Sequence, residues 1–321
     1  MQAMVITAFG GPEVFAAAEL PRPRPGPGEL LVRVLAASVN PVDYKIRQAG
    51  AWAQVRPPAV IGYDAAGVVE EVGPGVKDFA PGAKVFYTPR IIGRAGTYAQ
   101  YHVVDADIVV EKPEDLTFLE AASLPLAGGT AWDAVVRLAA VRPGETVLVH
   151  AGAGGVGSLA VQLARLAGAR VLATARGSNA DLVRALGADV VIDYRSEDPA
   201  KAALRETRGR GVEVAIDTVG GDTLARTIAA MRPYGRMVTV VSSTGDLSAA
   251  LIRNLTVHFE FLERARSKME ALRTLAERGR LRPVIDSVLP LAAAADAHRR
   301  IEAGGMRGKL VLQVAEGADG R

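Results

Sequence analysis

Hydrophobic positions change their spacing near residue 120. Before that point they fall in short alternating or continuous runs, at residues 3–8, 30–35, 67–72 and 84–87. PRPRPGPGE at 21–29, GPG at 73–75 and PG at 81–82 cut these runs, and such sequences cannot form a central strand or a helix. Helical spacing appears only at 43–48 and again from residue 120. The pattern predicts an antiparallel, barrel-like domain. Beyond residue 120, apolar strands at 147–150, 170–175, 190–193, 214–218 and 237–241 alternate with helical segments. That alternation predicts a parallel sheet covered on both faces. A strand at 256–261 ends the series. An amphipathic helix at 267–278 follows, with Ala271, Leu272 and Leu275 on one face. Strands at 286–289 and 309–314 then flank a helix at 292–303.

The sharpest local signal is TVLVHAGAGGVG at 146–157, an apolar strand running into a glycine-rich turn and then into helical sequence at 158–167. Gly152, Gly154 and Gly157 have the G-x-G-x-x-G spacing, with Gly155 and Val156 completing the turn. The first glycine permits the tight turn, the second lets backbone approach a pyrophosphate, and the third lets the helix pack closely. The helix start then directs free N–H groups at phosphate. The sequence therefore predicts dinucleotide binding.

Length and composition set the bounds around this motif. A chain of 321 residues exceeds the size at which a single core stops growing, so two domains are expected. The 38 basic residues are dispersed among 35 acidic ones, with no basic block interleaved with aromatics. The net charge of +3 therefore points to attraction of an anionic cofactor rather than to nucleic acid. No apolar run approaches the roughly 20 residues of a membrane span, and MQAMVITAFGGPE lacks a signal-peptide pattern, so a cytoplasmic location is expected. Cysteine is absent, which excludes disulfides, thiolate metal sites and a cysteine nucleophile.

Several segments carry a resemblance: ASVNPVDYKIR at 37–47, GYDAAGVVEEVGPGV at 62–76, LPLAGGTAWDAV at 124–135, VHAGAGGVG at 149–157, IDTVGG at 216–221 and RGKLVL at 307–312. In content and order they resemble the zinc-free quinone oxidoreductase branch of the medium-chain dehydrogenase/reductase superfamily. The resemblance implies an α/β protein with two domains. A GroES-like β-rich catalytic domain (1–120, completed by 266–321) surrounds a Rossmann domain (121–265) with a doubly wound parallel sheet. Zinc-dependent members hold their catalytic metal at places that here fall on Asn40, Tyr63 and Leu126. None of these offers a thiolate or imidazole. The four histidines, His102, His150, His258 and His298, have no metal-ligand spacing and read as structural or surface residues.

Rossmann domains specific for NAD end the second strand with an acid that binds ribose hydroxyls. Here Ala175 holds that place and Arg176 follows, offering a charge-assisted fork to a 2′-phosphate. Ser178 and Asn179 add neutral donors, and Tyr194 resembles a tyrosine flanking the adenosine phosphate. NADPH is expected over NADH. The resemblance also puts Thr130 beside the nicotinamide and Val219, Gly220, Val240 and Ser242 along the ribose and carboxamide, with Lys309 offered to a phosphate.

A plain carbonyl needs a Lewis acid or strong proton donor for its developing alkoxide. Quinones and activated alkenes delocalise the charge that hydride brings, and hydrogen bonds suffice for them. Asn40, Tyr44 and Tyr63 are the candidate catalytic residues, the tyrosines as donors and Asn40 to orient the substrate oxygen. Asp43 reads chiefly as shaping the turn after Pro41. The expected activity is reduction of quinones by NADPH. Alternatives are a reductase of alkenals and enones, an enoyl reductase, and an NADPH-binding protein without turnover. A homodimer is implied, paired through the edge strand that carries Phe259 and Phe261, unless these two are core residues.

Overall fold

The computed structural model describes residues Met1–Gly320. The chain divides into two compact units, one formed by Met1–Ala127 with the residues from Glu263 onward, the other by Gly128–Leu262. The first unit opens with β1 (Gln2–Ile6), β2 (Phe15–Glu19), β3 (Glu29–Val39), α1 (Pro41–Ala49), β4 (Ala59–Val60), β5 (Ala65–Val72), β6 (Lys84–Tyr87), β7 (Tyr101–Asp105), β8 (Val110–Glu111) and α2 (Phe118–Ala122). The division falls inside α3 (Pro125–Trp132). The second unit holds β9 (Thr146–Val149), α4 (Gly155–Leu166), β10 (Arg170–Ala175), α5 (Ala180–Ala185), β11 (Val190–Asp193), α6 (Pro199–Glu206), β12 (Val212–Asp217), α7 (Thr223–Thr227), β13 (Met231–Thr239) and β14 (Thr256–Phe259). The chain then returns through α8 (Arg266–Glu277), β15 (Ile285–Pro290), α9 (Ala294–Ala303) and β16 (Lys309–Gln313).

In the first unit β3 is the organising strand. Its sequence ELLVRVLAASV is apolar almost throughout, and it is buried along most of its length. One edge takes β5 in antiparallel register, while the other is shared: β7 pairs with Glu29–Arg33 and β16 with Ala36–Val39. The chain's last strand thus fills half an edge that the first hundred residues leave open. The sheet order is β15-β16-β3-β5-β6-β8, with a separate sheet β2-β1-β4. Met4, Ile6, Val39, Ile46, Ile61, Tyr63, Tyr98, Leu310 and Leu312 pack in one of its cores.

The second unit is a parallel sheet in the order β11-β10-β9-β12-β13-β14. Strand order reverses between β9 and β12, the switch point at whose carboxyl ends ligands bind in open α/β sheets. The sequence strand at 256–261 is shorter here, ending at Phe259. Phe259 and Phe261 are exposed rather than core residues, and β14 is the sheet's outer strand. Among the described residues no helix is long and apolar enough to cross a membrane.

Candidate active site

The glycine-rich turn in the second unit is held from below by β10. Thr174 accepts the Ala151 N–H on its hydroxyl (3.0 Å) and the Gly152 N–H on its carbonyl (2.8 Å). Ala151 sits at φ +51°, a left-handed conformation that turns the chain sharply out of β9. A Cβ on Gly152 would lie 2.9 Å from Ala173 Cβ, and one on Gly157 only 2.1 Å from the Ala151 carbonyl oxygen. One on Gly154 would meet nothing closer than 3.3 Å. Gly152 and Gly157 are therefore packing glycines, whereas Gly154 leaves the approach to the turn open. Helix α4 begins after Gly154 without a side-chain cap. Its first N–H groups, on Gly155, Val156 and Gly157, have no acceptor within the helix, a cradle suited to pyrophosphate.

Around this turn the other strand ends assemble the remaining candidates. At the end of β10, Arg176 donates from Nε to the Tyr194 hydroxyl just past β11 (3.2 Å). Ser178 is exposed beside them, and Asn179 is buried in a turn ahead of α5. At the end of β12, Asp217 accepts the N–H groups of Val219 (2.9 Å) and Gly220 (3.0 Å) on one oxygen and the Thr239 hydroxyl (3.0 Å) on the other. Those bonds hold Val219 out to solvent and tie the β12 end to β13, where Val240 is half-buried and Ser242 exposed. Sequence reasoning missed Asp217, although an acid closing an apolar strand before TVGG is the mark of such a loop anchor. Thr130 is buried in α3, directly ahead of a π-helical turn at Asp133–Leu138. Helical irregularities of that kind recur at functional positions.

In the first unit a buried polar cluster forms where α1 leaves β3. Asn40 starts the helix, yet its side chain makes no cap; instead the Asp43 carboxylate accepts the Asn40 N–H (2.8 Å). The Asn40 amide is engaged elsewhere, donating to Asp64 Oδ2 (2.8 Å) and accepting from Lys309 Nζ. Asp64 also accepts the Ser38 hydroxyl (2.7 Å) and the Leu126 N–H (2.8 Å), and Lys309 Nζ lies 3.5 Å away. Lys309, which the resemblance offers to a phosphate, is engaged in this cluster. It is buried at the start of β16, where its ammonium also donates to the Val39 carbonyl (3.1 Å). Burial pushes the Asp64 carboxyl up and the Lys309 ammonium down, each shift opposed by the other's charge.

Asp43 occupies the second half of the cluster. Its Oδ2 accepts the Asn40 N–H and the Tyr98 hydroxyl (2.9 Å), whereas its Oδ1 is buried without a partner. Burial pushes this carboxyl up to about 7, against the two bonds and the Lys309 charge, which favour its ionised form. Tyr63 is wholly buried and its hydroxyl likewise has no partner; burial, and then the Asp43 charge, hold this phenol far above the ordinary tyrosine range. Tyr44, the third candidate, is half-buried on α1. Asn40 is thus bonded to Asp43, which also holds Tyr98, and Tyr63 lies near enough to feel the Asp43 charge. Asp64, Tyr98 and Lys309 join them, unforeseen in this role. An aspartate within the apolar GYDAAGVV was the available signal, since a carboxylate buried at the entry to a strand needs partners.

Of the histidines, His102 meets Tyr87 and the Ala95 carbonyl, His150 the Thr227 hydroxyl, and His298 Tyr98 and Arg47. Among the described residues no three His, Cys, Asp or Glu side chains group as metal ligands.

A sheet completed by both chain ends and a parallel sheet with a phosphate-cradling turn together define an oxidoreductase that works with a nicotinamide cofactor. Residues 26–114 match the family model for the alcohol dehydrogenase GroES-like domain, and residues 186–312 the one for zinc-binding dehydrogenases. The quinone oxidoreductase of Sus scrofa is 33% identical, the match covering 97% of both chains. The 2-haloacrylate reductase of a Burkholderia species is also 33% identical, over 97% of this chain and 98% of its own. A crystal structure of an NAD-dependent alcohol dehydrogenase superposes with a TM-score of 0.93 at 37% identity, covering 98% of this chain and 100% of that one. The chain belongs to the quinone oxidoreductase branch of the medium-chain dehydrogenase/reductase superfamily.

Proposed function

We propose that the protein reduces quinones with NADPH, without zinc. The reading is supported by the donor set of the first unit, around Asn40, Tyr63 and Leu126, the places that the resemblance implies for the metal ligands of zinc-dependent members. What is gathered there instead is a carboxamide, a buried phenol and two carboxyls. Such groups orient and protonate an oxygen but supply no Lewis acid, which suits an acceptor that spreads the incoming charge over a conjugated system. When bound, NADPH supplies hydride. Gly155, Val156 and Gly157 would hold its pyrophosphate by N–H groups, and Arg176, steadied by Tyr194, its 2′-phosphate. Thr130, Val219, Gly220, Val240 and Ser242 would line the nicotinamide half, with Ser178 and Asn179 near the adenosine. Tyr44, Tyr63 and Asn40 would receive the substrate. A second reading, reduction of an activated carbon–carbon double bond, is favoured by the haloacrylate reductase relative.

Following NADPH oxidation against a para-quinone, an enone and a saturated ketone tests this. The quinone should turn over fastest and the saturated ketone slowest; a saturated ketone as best substrate overturns the reading. Within the same assay, NADPH should outperform NADH, and Arg176→Ala should erase roughly ten- to a hundredfold of that gap, the worth of a charge-assisted contact to phosphate. The loss should appear in KM more than in kcat, because the contact is remote from the reacting atoms. Equal affinity of the parent for both cofactors refutes the assignment.

The homodimer belongs to the same proposal. Strand β14 leaves an outer edge, and Phe259 and Phe261 beside it are 64% and 63% exposed. Such an edge invites pairing with a second copy. Phe259→Lys should convert a dimer to a monomer in sedimentation velocity; an unchanged sedimentation coefficient rejects this interface.

A further inference from the structure

One buried side chain in the second unit ties neighbouring strand ends together. Asp217 closes β12 and is completely buried. Its Oδ1 accepts the Val219 and Gly220 N–H groups (2.9 and 3.0 Å), and its Oδ2 accepts the Thr239 hydroxyl at the end of β13 (3.0 Å). Further bonds continue the tie. The Gly221 N–H donates to the Ser242 carbonyl (3.0 Å), and the Thr244 N–H to the Gly221 carbonyl (2.9 Å). Just past β9, the His150 carbonyl accepts the Thr218 hydroxyl (2.8 Å). A Cβ on Gly220 would lie 2.8 Å from the Ser242 carbonyl oxygen, so residues 218–221 and 240–244 lie against each other. The ends of β9, β12 and β13 thus form a single lip.

A carboxyl group is an expensive tie in this place. Taking it out of water costs stability unless donors meet it, and the three that do are neutral. A buried polar network whose members are satisfied makes rigid what it joins. This one joins strand ends at the switch point of the sheet, where ligands bind in open α/β folds. We propose that Asp217 is a positioning residue: through its bonds to Val219, Gly220 and Thr239 it presets the lip that receives the nicotinamide half of NADPH, and so sets the affinity for that half alone. This rests on the cofactor reading above. A lip already in its bound shape gives up little freedom when the ligand arrives, whereas a loose one must be ordered at the expense of affinity. Arg176 and Tyr194, offered to the adenosine half, stand past β10 and β11, and neither strand neighbours β12.

The bonds, and not the charge, are what the lip requires. In Asp217→Asn the amide oxygen can accept the Val219 and Gly220 N–H groups, and the amide nitrogen can donate to the Thr239 oxygen. The Thr239 hydrogen then turns to the Val241 carbonyl, which lies 2.9 Å away. Each donor keeps an acceptor while the charge is gone. In Asp217→Ala the two N–H groups lose their acceptor, and β12 loses its side-chain tie to β13.

Titration calorimetry with two probes gives a readout independent of turnover: NADPH, and adenosine 2′,5′-bisphosphate, which is its adenosine half without the nicotinamide. Asp217→Ala should bind NADPH about ten- to a hundredfold more weakly, yet bind the bisphosphate within about twofold of the parent. Asp217→Asn should bind both probes as the parent does. Thr239→Val removes only the tie to β13 and should weaken NADPH by about two- to tenfold, again sparing the bisphosphate. That variant keeps the test open if Asp217→Ala fails to fold. Parental NADPH affinity in Asp217→Ala, or in Thr239→Val where only that variant folds, overturns the proposal. An equal loss for the two probes also overturns it, since it marks a residue that holds the fold in general. A loss in Asp217→Asn as deep as in Asp217→Ala overturns it too, by assigning the effect to the charge. A parent that binds neither probe overturns the cofactor reading, and the proposal with it.

Discussion

Gly157→Ala is expected to abolish tight binding of the dinucleotide, and Gly154→Ala to weaken it by a different route. The added methyl at 157 would lie 2.1 Å from the Ala151 carbonyl oxygen, 2.8 Å from its carbon and 3.1 Å from Gly152 Cα. No rotamer relieves a clash between a Cβ and backbone, so α4 must move away from the turn. Overpacking of this kind costs about 1–3 kcal/mol or more of stability. It also carries the N–H groups of residues 155–157 away from the phosphate. Affinity for NADPH, measured by calorimetry, should fall about a hundredfold or more, together with a lower midpoint of thermal unfolding. At Gly154 the methyl meets only the Ala151 oxygen at 3.3 Å. Stability should therefore survive there, and any loss of affinity reports the approach of the ligand itself. Parental affinity in Gly157→Ala would show that the helix start does not hold the phosphate.

The second unit was the more legible because its information is local. A strand, a turn and a helix follow one another within about a dozen residues, and strands at 170–175 and 190–193 lie where their apolar runs put them. The inner strands β9, β10 and β12 are buried on both faces, so burial leaves a continuous signature in the sequence. The first unit hides more. Strands β2 (FAAAE) and β7 (YHVVD) are short, half-buried and weakly patterned, and they become strands because β1 and β3 offer them an edge. Residues 36–39, which the sequence leaves outside the 30–35 run, continue β3 because β16 pairs with them. That pairing brings in a strand from the far end of the chain.

The buried cluster shows the same limit in chemical form. Asn40 and Tyr63 were readable because they stand in motifs, but their surroundings were not. Lys309 reaches Asn40 across 269 positions of sequence, and His298 reaches Tyr98 across 200. No periodicity encodes such contacts. Only the antiparallel register of β16 against β3, Leu310 opposite Val39, brings the Lys309 side chain to the start of α1. A lysine at a strand start suggests solvent or phosphate; the register turns it inward, to a carboxylate.

That inward turn makes Lys309→Met the substitution with the largest expected cost in stability. Asp64 is completely buried, and Lys309 is its nearest cation. Without the ammonium, Asp64 keeps the Ser38, Asn40 and Leu126 donors but carries an uncompensated charge in the interior. Removing one partner of a buried pair costs about 3–5 kcal/mol, much of it the penalty for the charge left behind. The sign with pH follows from the direction of the Asp64 shift. Its folded carboxyl is already raised by burial, and loss of Lys309, whose charge opposes that rise, raises it further. Stability from such a group is present in full below its unfolded value near 4 and is lost as pH rises through the folded one. Denaturant unfolding of Lys309→Met should therefore show a small deficit near pH 4 that grows as the pH rises. Asp64→Asn combined with Lys309→Met removes both charges and should recover part of the loss, because the amide oxygen keeps the donors on one side while the NH2 faces the donors on the other. If Lys309→Met unfolds at pH 8 as the parent does, the ammonium is not what allows the carboxylate to be buried. The cluster is then held by the hydrogen bonds of Ser38, Asn40 and the Leu126 peptide alone.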